Sequence, residues 1–412
     1  MISPAVQTRS FRAAVVATLT LLFALSSFAA TLSTRHEARS NRRIKESANT
    51  ERRMAASRHS RAHAGRRAGS RGGAGIVASR RGRRVRYSQR FTASSYTSDA
   101  AAGDLTAGED PIVREAALSA LGNLNGTMVA IDPGNGRILA MVNQKLALSS
   151  GAQPCSTIKV SVALAALSEG IVTKDTMVDL GGDWETDMNR ALAHSVNKYF
   201  EVLGRRLGFQ KVSYYAHQFG LGELAGWNIE DEHLGVYPSQ ELPANLGGVG
   251  KMCSFGESIS MTPLQLGALM ASIANGGTLY YLQHPLSAAE VASFEPKVKR
   301  YLDIAPLIPE VSVGMLGATQ YGTARSLRTN FTSEQVLGKT GTCSNAGTRF
   351  GWFGSFANSR YGRIVTVIFL EGNRDVYGPK AAELAGHFYR NLDEHNYFAG
   401  KTAPVHTAAL LK

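Results

Sequence analysis

Ser156 stands three residues before Lys159 in the stretch PCSTIKV, and an apolar run, VSVALAAL, begins at Val160. On a helix, a hydroxyl and an amine at this spacing share one face, about 5–6 Å apart at Cβ. Two chemistries fit. In one, Ser156 caps the helix by accepting a bond from an orphan N–H, and Lys159 is a surface cation. In the other, Lys159 is kept neutral and takes the Ser156 proton, which turns a poor nucleophile into a competent one. The pair alone does not choose between them, because S-x-x-K is common by chance.

Two more short stretches bear on the choice. SVN at 195–197 lies between helical segments, with Ser195 and Asn197 at a loop or helix start; its plain reading is another serine cap. KTGT at 339–342 lies in a strand. Its plain reading is an ordinary edge strand, although Gly341 would let another backbone or a ligand come close. Each stretch is weak evidence. Together they give S-x-x-K, S-x-N and K-T-G in order, separated by 39 residues (156 to 195) and 144 residues (195 to 339). That ordered trio resembles the penicillin-binding proteins and serine β-lactamases.

The elements that must position these residues follow from the hydrophobic pattern. GTMVAIDP (126–133) and RILAMVNQ (137–144) read as two strands joined at a Pro-Gly-Asn-Gly turn. A helix is expected over 156–168, a helical stretch with breaks over 187–219, and a helix over 262–277 closed by Gly276-Gly277. Another helix is expected over 310–327. Strands follow at 335–342, 349–357 and 363–372, then a closing helix at 379–395. Strands at both ends with helices between them predict an α+β fold: one antiparallel sheet flanked by helices, plus an all-helical subdomain.

Over Gly126 to Asn391 the chain resembles a penicillin-binding transpeptidase domain. IDPGNGRILAMV, ALAHSVNKYF, SMTPLQLGALMASIANGG, GTARSL and GKTGT followed by GWFGSFA carry the likeness. The expectation is a class-B-like protein that lacks the large N-terminal pedestal and has no glycosyltransferase domain before it. The resemblance implies a site in which Ser156 attacks the penultimate D-Ala carbonyl of a peptidoglycan stem ending D-Ala-D-Ala. Lys159 would be the base, Ser195 would relay a proton to the leaving amine, and Asn197 and Lys339 would support that network. Lys339, Thr340, Gly341 and Thr342 would bind the terminal carboxylate, and the Ser156 and Thr342 N–H groups would form the oxyanion hole. β-Lactams would acylate the same serine, and a separate glycosyltransferase would be a partner. A serine β-lactamase and a D,D-carboxypeptidase share the acylation step and stay as alternatives, as does a non-catalytic envelope scaffold or sensor.

Charge is unevenly spread. The chain of 412 residues carries a formal +13 from 45 basic and 32 acidic residues. Residues 35–90 contribute a net +15 and residues 1–34 a further +2, which leaves −4 for residues 91–412. The 22 uncharged residues 13–34 are long enough to span a bilayer core as a helix. They are read as a retained anchor in the inner membrane; cleavage near Ser27-Phe28-Ala29 is the alternative. The Arg-rich flank runs against the positive-inside rule, but long domains translocate largely regardless of flanking charge, so the catalytic domain is expected on the periplasmic side. The domain reading is therefore 1–34 anchor or signal peptide, 35–110 disordered Arg-rich linker, 111–398 transpeptidase domain and 399–412 tail. The linker has too few large apolar residues to offset ordering entropy. Residues 35–90 are either a solvated spacer or a tether to anionic lipid or wall polymers, and no motif supports nucleic acid.

No cofactor or metal is expected. The glycines of DPGNG and LGGVG lack phosphate-loop spacing, and no C-x-x-C occurs. His194 beside Ser195 is read as structural rather than as a base. Cys155 and Cys343 adjoin the first and third motifs; two separate buried thiols are the favoured expectation, with a disulfide across the site mouth as the alternative in an oxidising compartment.

Overall fold

A computed structural model describes residues 91–359 and 362–398. Helix α1 (Pro111–Leu121) is followed by strands β1 (Gly126–Ile131) and β2 (Ile138–Val142). The helical middle holds α2 (Lys159–Ser168), α3 (Met188–Ala193), α4 (Asn197–Gln218), α5 (Gly248–Phe255), α6 (Pro263–Ala274) and α7 (Ile308–Gln320). Strands β3 (Gln335–Asn345), β4 (Thr348–Ser359) and β5 (Gly362–Gly372) and helix α8 (Gly378–Glu394) complete it. The five strands form one antiparallel sheet in the order β2-β1-β5-β4-β3, so chain-end strands β1 and β5 pair at its centre and β3 is an edge. The α+β expectation holds.

Successive strand side chains point to opposite faces, and here both faces are covered, which is why β1 and β2 are buried at every position. Val129, Ile131, Trp352, Val367 and Phe369 face a core shared with α2, α4, α5 and α6. Met128, Ala130, Phe353, Ile364 and Ile368 face a second core built with α1 and α8. Helix α6 is buried along its whole length, as expected of a helix apolar on all sides. A capping box starts it: Gln265 N–H donates to Thr262 Oγ1, and Thr262 N–H donates to Gln265 Oε1.

Several sequence boundaries move. The segment expected to be helical from Ser156 opens with a 3₁₀ turn, Cys155–Ile158, and becomes α-helical only at Lys159. The expected helix over 310–327 stops at Gln320, and residues 325–329 form a separate 3₁₀ turn. The break within 187–219 falls at 194–196, with a further kink at Gly208, whose φ of 74° is left-handed.

The linker reading to residue 110 is corrected. Residues 91–110 lie on the domain. Tyr96 bridges to Leu124, Ser95 is fully buried, and its Oγ accepts from Asn373 N–H at 2.9 Å. Asp104 accepts from the N–H groups of Asn143 and Gln144 and pairs with Arg114 at 2.7 Å. Backbone pairing and buried polar contacts hold this segment, with only the small Ala100 and Ala101 packing on the core, so composition did not register it. The anchor reading of residues 1–34, the tether reading of 35–90 and the tail 399–412 lie outside the described residues. Among the described residues, no helix is long and apolar enough to cross a membrane.

Candidate active site

Ser156 sits in the 3₁₀ turn after Pro154, and no side chain caps that turn. Its Oγ lies 3.0 Å from Lys159 Nζ. The plain reading of Ser156 as a helix cap therefore does not describe the structure. The same is true of Ser195: the residue before α4 is Val196, without a side-chain cap.

Lys159 is fully buried one turn further on. Its Nζ lies 2.8 Å from the Ser195 carbonyl oxygen, 2.9 Å from Ser195 Oγ and 2.5 Å from Asn197 Oδ1. Ser195 adopts a left-handed φ of 57°, and its carbonyl and hydroxyl both reach the amine. Two of the four neighbours, the Ser195 carbonyl and Asn197 Oδ1, only accept. A neutral amine has two N–H bonds to satisfy them and one lone pair left, and that lone pair meets a hydroxyl proton. The geometry thus fits a neutral lysine paired with a serine O–H.

Electrostatics point the same way. Burial pushes the Lys159 amine well below the usual lysine range, the nearby Lys339 lowers it further, and Glu201 partly opposes both. Burial likewise lowers Lys339, to about 7. Two neighbouring buried ammonium groups disfavour each other, which adds to burial in favouring the neutral Lys159 amine.

The third motif lies along β3. Lys339 is fully buried and its Nζ donates to the Thr340 carbonyl at 3.0 Å. Thr340 Oγ1 shares a hydrogen bond of 2.6 Å with Thr323 Oγ1, and Thr342 Oγ1 accepts from Gly378 N–H at 2.7 Å. Gly341 is where β3 meets the nucleophile's turn: a Cβ there would lie 2.8 Å from the Pro154 carbonyl oxygen and 3.2 Å from Trp352 Cβ. The turn is also tied to β4, since Trp352 Nε1 donates to the Gln153 carbonyl at 3.0 Å.

The end of α3, which leads into Ser195, is held by the turn that follows α7. Thr323 N–H donates to the Ala193 carbonyl at 3.0 Å, and a Cβ at Gly322 would strike that same oxygen. Thr323 thus touches the third motif and the helix end just before the second. Sequence reasoning quoted its segment, GTARSL, but did not place it in the site. Gly378 and Trp352 were also missed; neither carries a local signal, because each contributes through pairing with residues distant in sequence. His194, exposed at the cleft, packs its ring against Tyr321 at 5.6 Å between centroids and makes no contact with Ser195 Oγ that would mark it as a base.

The expectation of two separate thiols is overturned. Cys155 and Cys343 form a disulfide, with Cα atoms 5.5 Å apart. The close approach at Gly341 brings the two residues within bonding range. Cys253 stays a buried free thiol, and burial pushes its pKa up. Among the described residues no group of three or more His, Cys, Asp or Glu could hold a metal ion.

The family model described as "Penicillin binding protein transpeptidase domain" matches residues 126–390. The chain is 26% identical over 343 residues to the peptidoglycan D,D-transpeptidase MrdA of Acinetobacter baumannii, covering 64% of this chain and 50% of that one. It is 28% identical over 258 residues to the stage V sporulation protein D of Bacillus subtilis, covering 52% and 39%. The chain thus spans about half, or less, of these relatives' length. In fold it is similar to Pseudomonas aeruginosa PBP2 in complex with WCK 5153, with a TM-score of 0.59 at 22% identity over 73% of this chain and 77% of that one. It is also similar to the D,D-transpeptidase domain of a peptidoglycan glycosyltransferase from Eggerthella lenta, with a TM-score of 0.56 at 20% identity over 70% and 82%. With the first two motifs meeting at one buried lysine, the third packed against the Ser156 turn, and a family match across most of the described residues, the chain belongs to the penicillin-binding protein transpeptidase family.

Proposed function

We propose that the chain is a serine D,D-transpeptidase that cross-links peptidoglycan stem peptides through a Ser156 acyl-enzyme and is acylated by β-lactams at the same oxygen. The observation that carries this is the buried Lys159 amine, within 3.0 Å of Ser156 Oγ and 2.9 Å of Ser195 Oγ.

The geometry supports the following steps. Lys159 takes the Ser156 proton as the oxygen attacks the penultimate D-Ala carbonyl. The Ser156 and Thr342 N–H groups receive the oxyanion, each donor being worth about 3–4 kcal/mol in comparable hydrolases. Lys159 then passes its proton through Ser195 to the departing D-Ala amine. An acceptor amine repeats the sequence in reverse, losing its proton to Lys159 and restoring the serine. Lys339, beside Thr340 and Thr342, meets the substrate's terminal carboxylate. That negative charge favours the protonated form of Lys339 at the moment when Lys159 must stay neutral. Asn197 fixes the direction of the Lys159 lone pair through its Oδ1 contact.

No cofactor enters these steps. The apolar residues 13–34 support an inner-membrane anchor with the domain on the periplasmic side, and the Arg-rich residues 35–90 support contact with anionic lipid or wall polymer. A glycosyltransferase partner would supply the glycan strands.

The test is to incubate the full-length chain in mild detergent with a pentapeptide stem ending D-Ala-D-Ala and an acceptor amine, then to measure D-alanine and cross-linked product. Release of D-alanine with amide formation supports the transpeptidase. Release with free acid alone makes it a carboxypeptidase. Rapid turnover of penicillin makes it a β-lactamase, and no turnover of either substrate leaves a binding scaffold.

A further inference from the structure

Ser156 and Thr342, whose N–H groups would receive the oxyanion, belong to different elements: a 3₁₀ turn and an edge strand. Such a hole works only if its donors are preorganised at the right separation. The residue just before Ser156 is Cys155, the residue just after Thr342 is Cys343, and they are joined. The covalent tie therefore adjoins both donors.

Two features of the turn make that tie matter. No side chain caps it, and Cys155 holds a left-handed φ of 53°. For a residue with a Cβ that conformation persists only where its surroundings over-determine it. Thr157 Oγ1 bonds the Pro154 carbonyl, but that contact is internal to the turn. The Trp352–Gln153 hydrogen bond anchors the turn to β4, one strand away from Thr342. At Gly341 the turn and β3 touch, but the contact there sets only a minimum distance. The disulfide adds a covalent limit on their separation to the core packing of Cys155 and Ile158.

We infer that Cys155 and Cys343 are positioning residues for acyl transfer: their disulfide holds the Ser156 turn against β3 so that the N–H groups of Ser156 and Thr342 converge on one oxygen. This rests on the transpeptidase reading. When the bond opens, Cys155 relaxes toward negative φ, the peptide between Cys155 and Ser156 rotates, and the Ser156 N–H leaves the shared oxygen. Acylation then depends on an oxidised pair, which fits an exported domain. Reagents can reach the bond, because Cys343 lines an open cavity of about 840 Å³ together with Gln153, Thr342 and Phe350.

The experiment uses the full-length chain in mild detergent with a chromogenic β-lactam, before and after reduction by tris(2-carboxyethyl)phosphine. The phosphine gives up two electrons and takes oxygen from one water, whose two protons end on the sulfurs. Thiol counting confirms the reduction, and circular dichroism confirms the fold. The expected result is at least a tenfold fall in the acylation rate constant, with the pre-acylation dissociation constant changed less than threefold. Reoxidation restores the rate. A Cys155→Ala/Cys343→Ala variant is slow from the outset and indifferent to the phosphine. An unchanged rate in verified reduced, folded protein overturns the inference, as does a loss confined to the dissociation constant. If oxidised wild-type protein is not acylated at all, the transpeptidase reading fails first.

Discussion

Replacing Gly341 with alanine tests how closely the nucleophile's turn must approach β3. The new Cβ would lie 2.8 Å from the Pro154 carbonyl oxygen, where ordinary contact begins near 3.4 Å. It would also meet Trp352 Cβ and Thr157 Cγ2, each at 3.2 Å. The oxygen belongs to the backbone and Trp352 is fully buried, so no side-chain rotation removes the overlap. The turn must move away from the strand by about half an ångström, the shortfall below ordinary packing distance. Overpacking of this kind costs about 1–3 kcal/mol, and a shift of about 1 Å at a reacting centre costs about 10²-fold, so roughly tenfold is expected here. The assay is the acylation rate of Gly341→Ala by a chromogenic β-lactam, paired with urea unfolding. Ile368→Val is the control: it removes one methylene from the core on the opposite face of the sheet, at a cost of about 0.5–1.5 kcal/mol. The control should lose stability and keep its rate. If Gly341→Ala acylates within threefold of wild type, or if the control loses as much rate, the close approach does not set the nucleophile's position.

Other outcomes are expected from the same structure. Lys339 has a folded pKa of about 7, below its unfolded value, so the unfolded chain holds the extra proton between about pH 7 and 10.5 and stability should rise with pH across that window. Urea melts at pH 7 and 9.5 should show the rise, and Lys339→Met should flatten it by up to about 1.4 kcal/mol per pH unit. Lys159 is shifted in the same direction, so acylation should fall as acid protonates it, and Lys159→Met should abolish the acid limb along with most of the rate. A plot of rate against pH that is flat in wild type would refute the neutral amine. Thr323→Val removes the hydroxyl shared with Thr340 and should cost about 1 kcal/mol in stability and a comparable, roughly fivefold, loss of acylation, measured side by side. Ser95→Ala leaves the half-buried Asn373 N–H without its partner and should destabilise by about 0.5–1.5 kcal/mol, which thermal unfolding would report.

The grouping of the candidate site was largely legible because its residues are local in sequence. Ser156 and Lys159 are one turn apart, Ser195 and Asn197 are two residues apart, and Lys339 to Thr342 run along one strand. The strands and long helices were legible for a similar reason: an all-apolar run such as GTMVAI marks a strand buried on both faces. What sequence missed depends on distant pairing. Residues 91–110 read as linker because Ser95 and Asp104 are held through polar contacts with Asn373, Asn143 and Gln144. The disulfide stood only as the lesser alternative because nothing local shows that Gly341 brings Cys343 beside Cys155. Thr323 links Thr340 to the end of α3, just before the second motif, only after the segment following α7 docks there.

The most direct measurement is the mass of the full-length chain after exposure to benzylpenicillin, with peptide mapping of the adduct. One penicilloyl group on the peptide containing Ser156, stable for hours, absent from Ser156→Ala and formed at least a hundredfold more slowly in Lys159→Met, is the expected result. An adduct on another residue, or an undiminished rate without the Lys159 amine, would contradict the assignment of nucleophile and base.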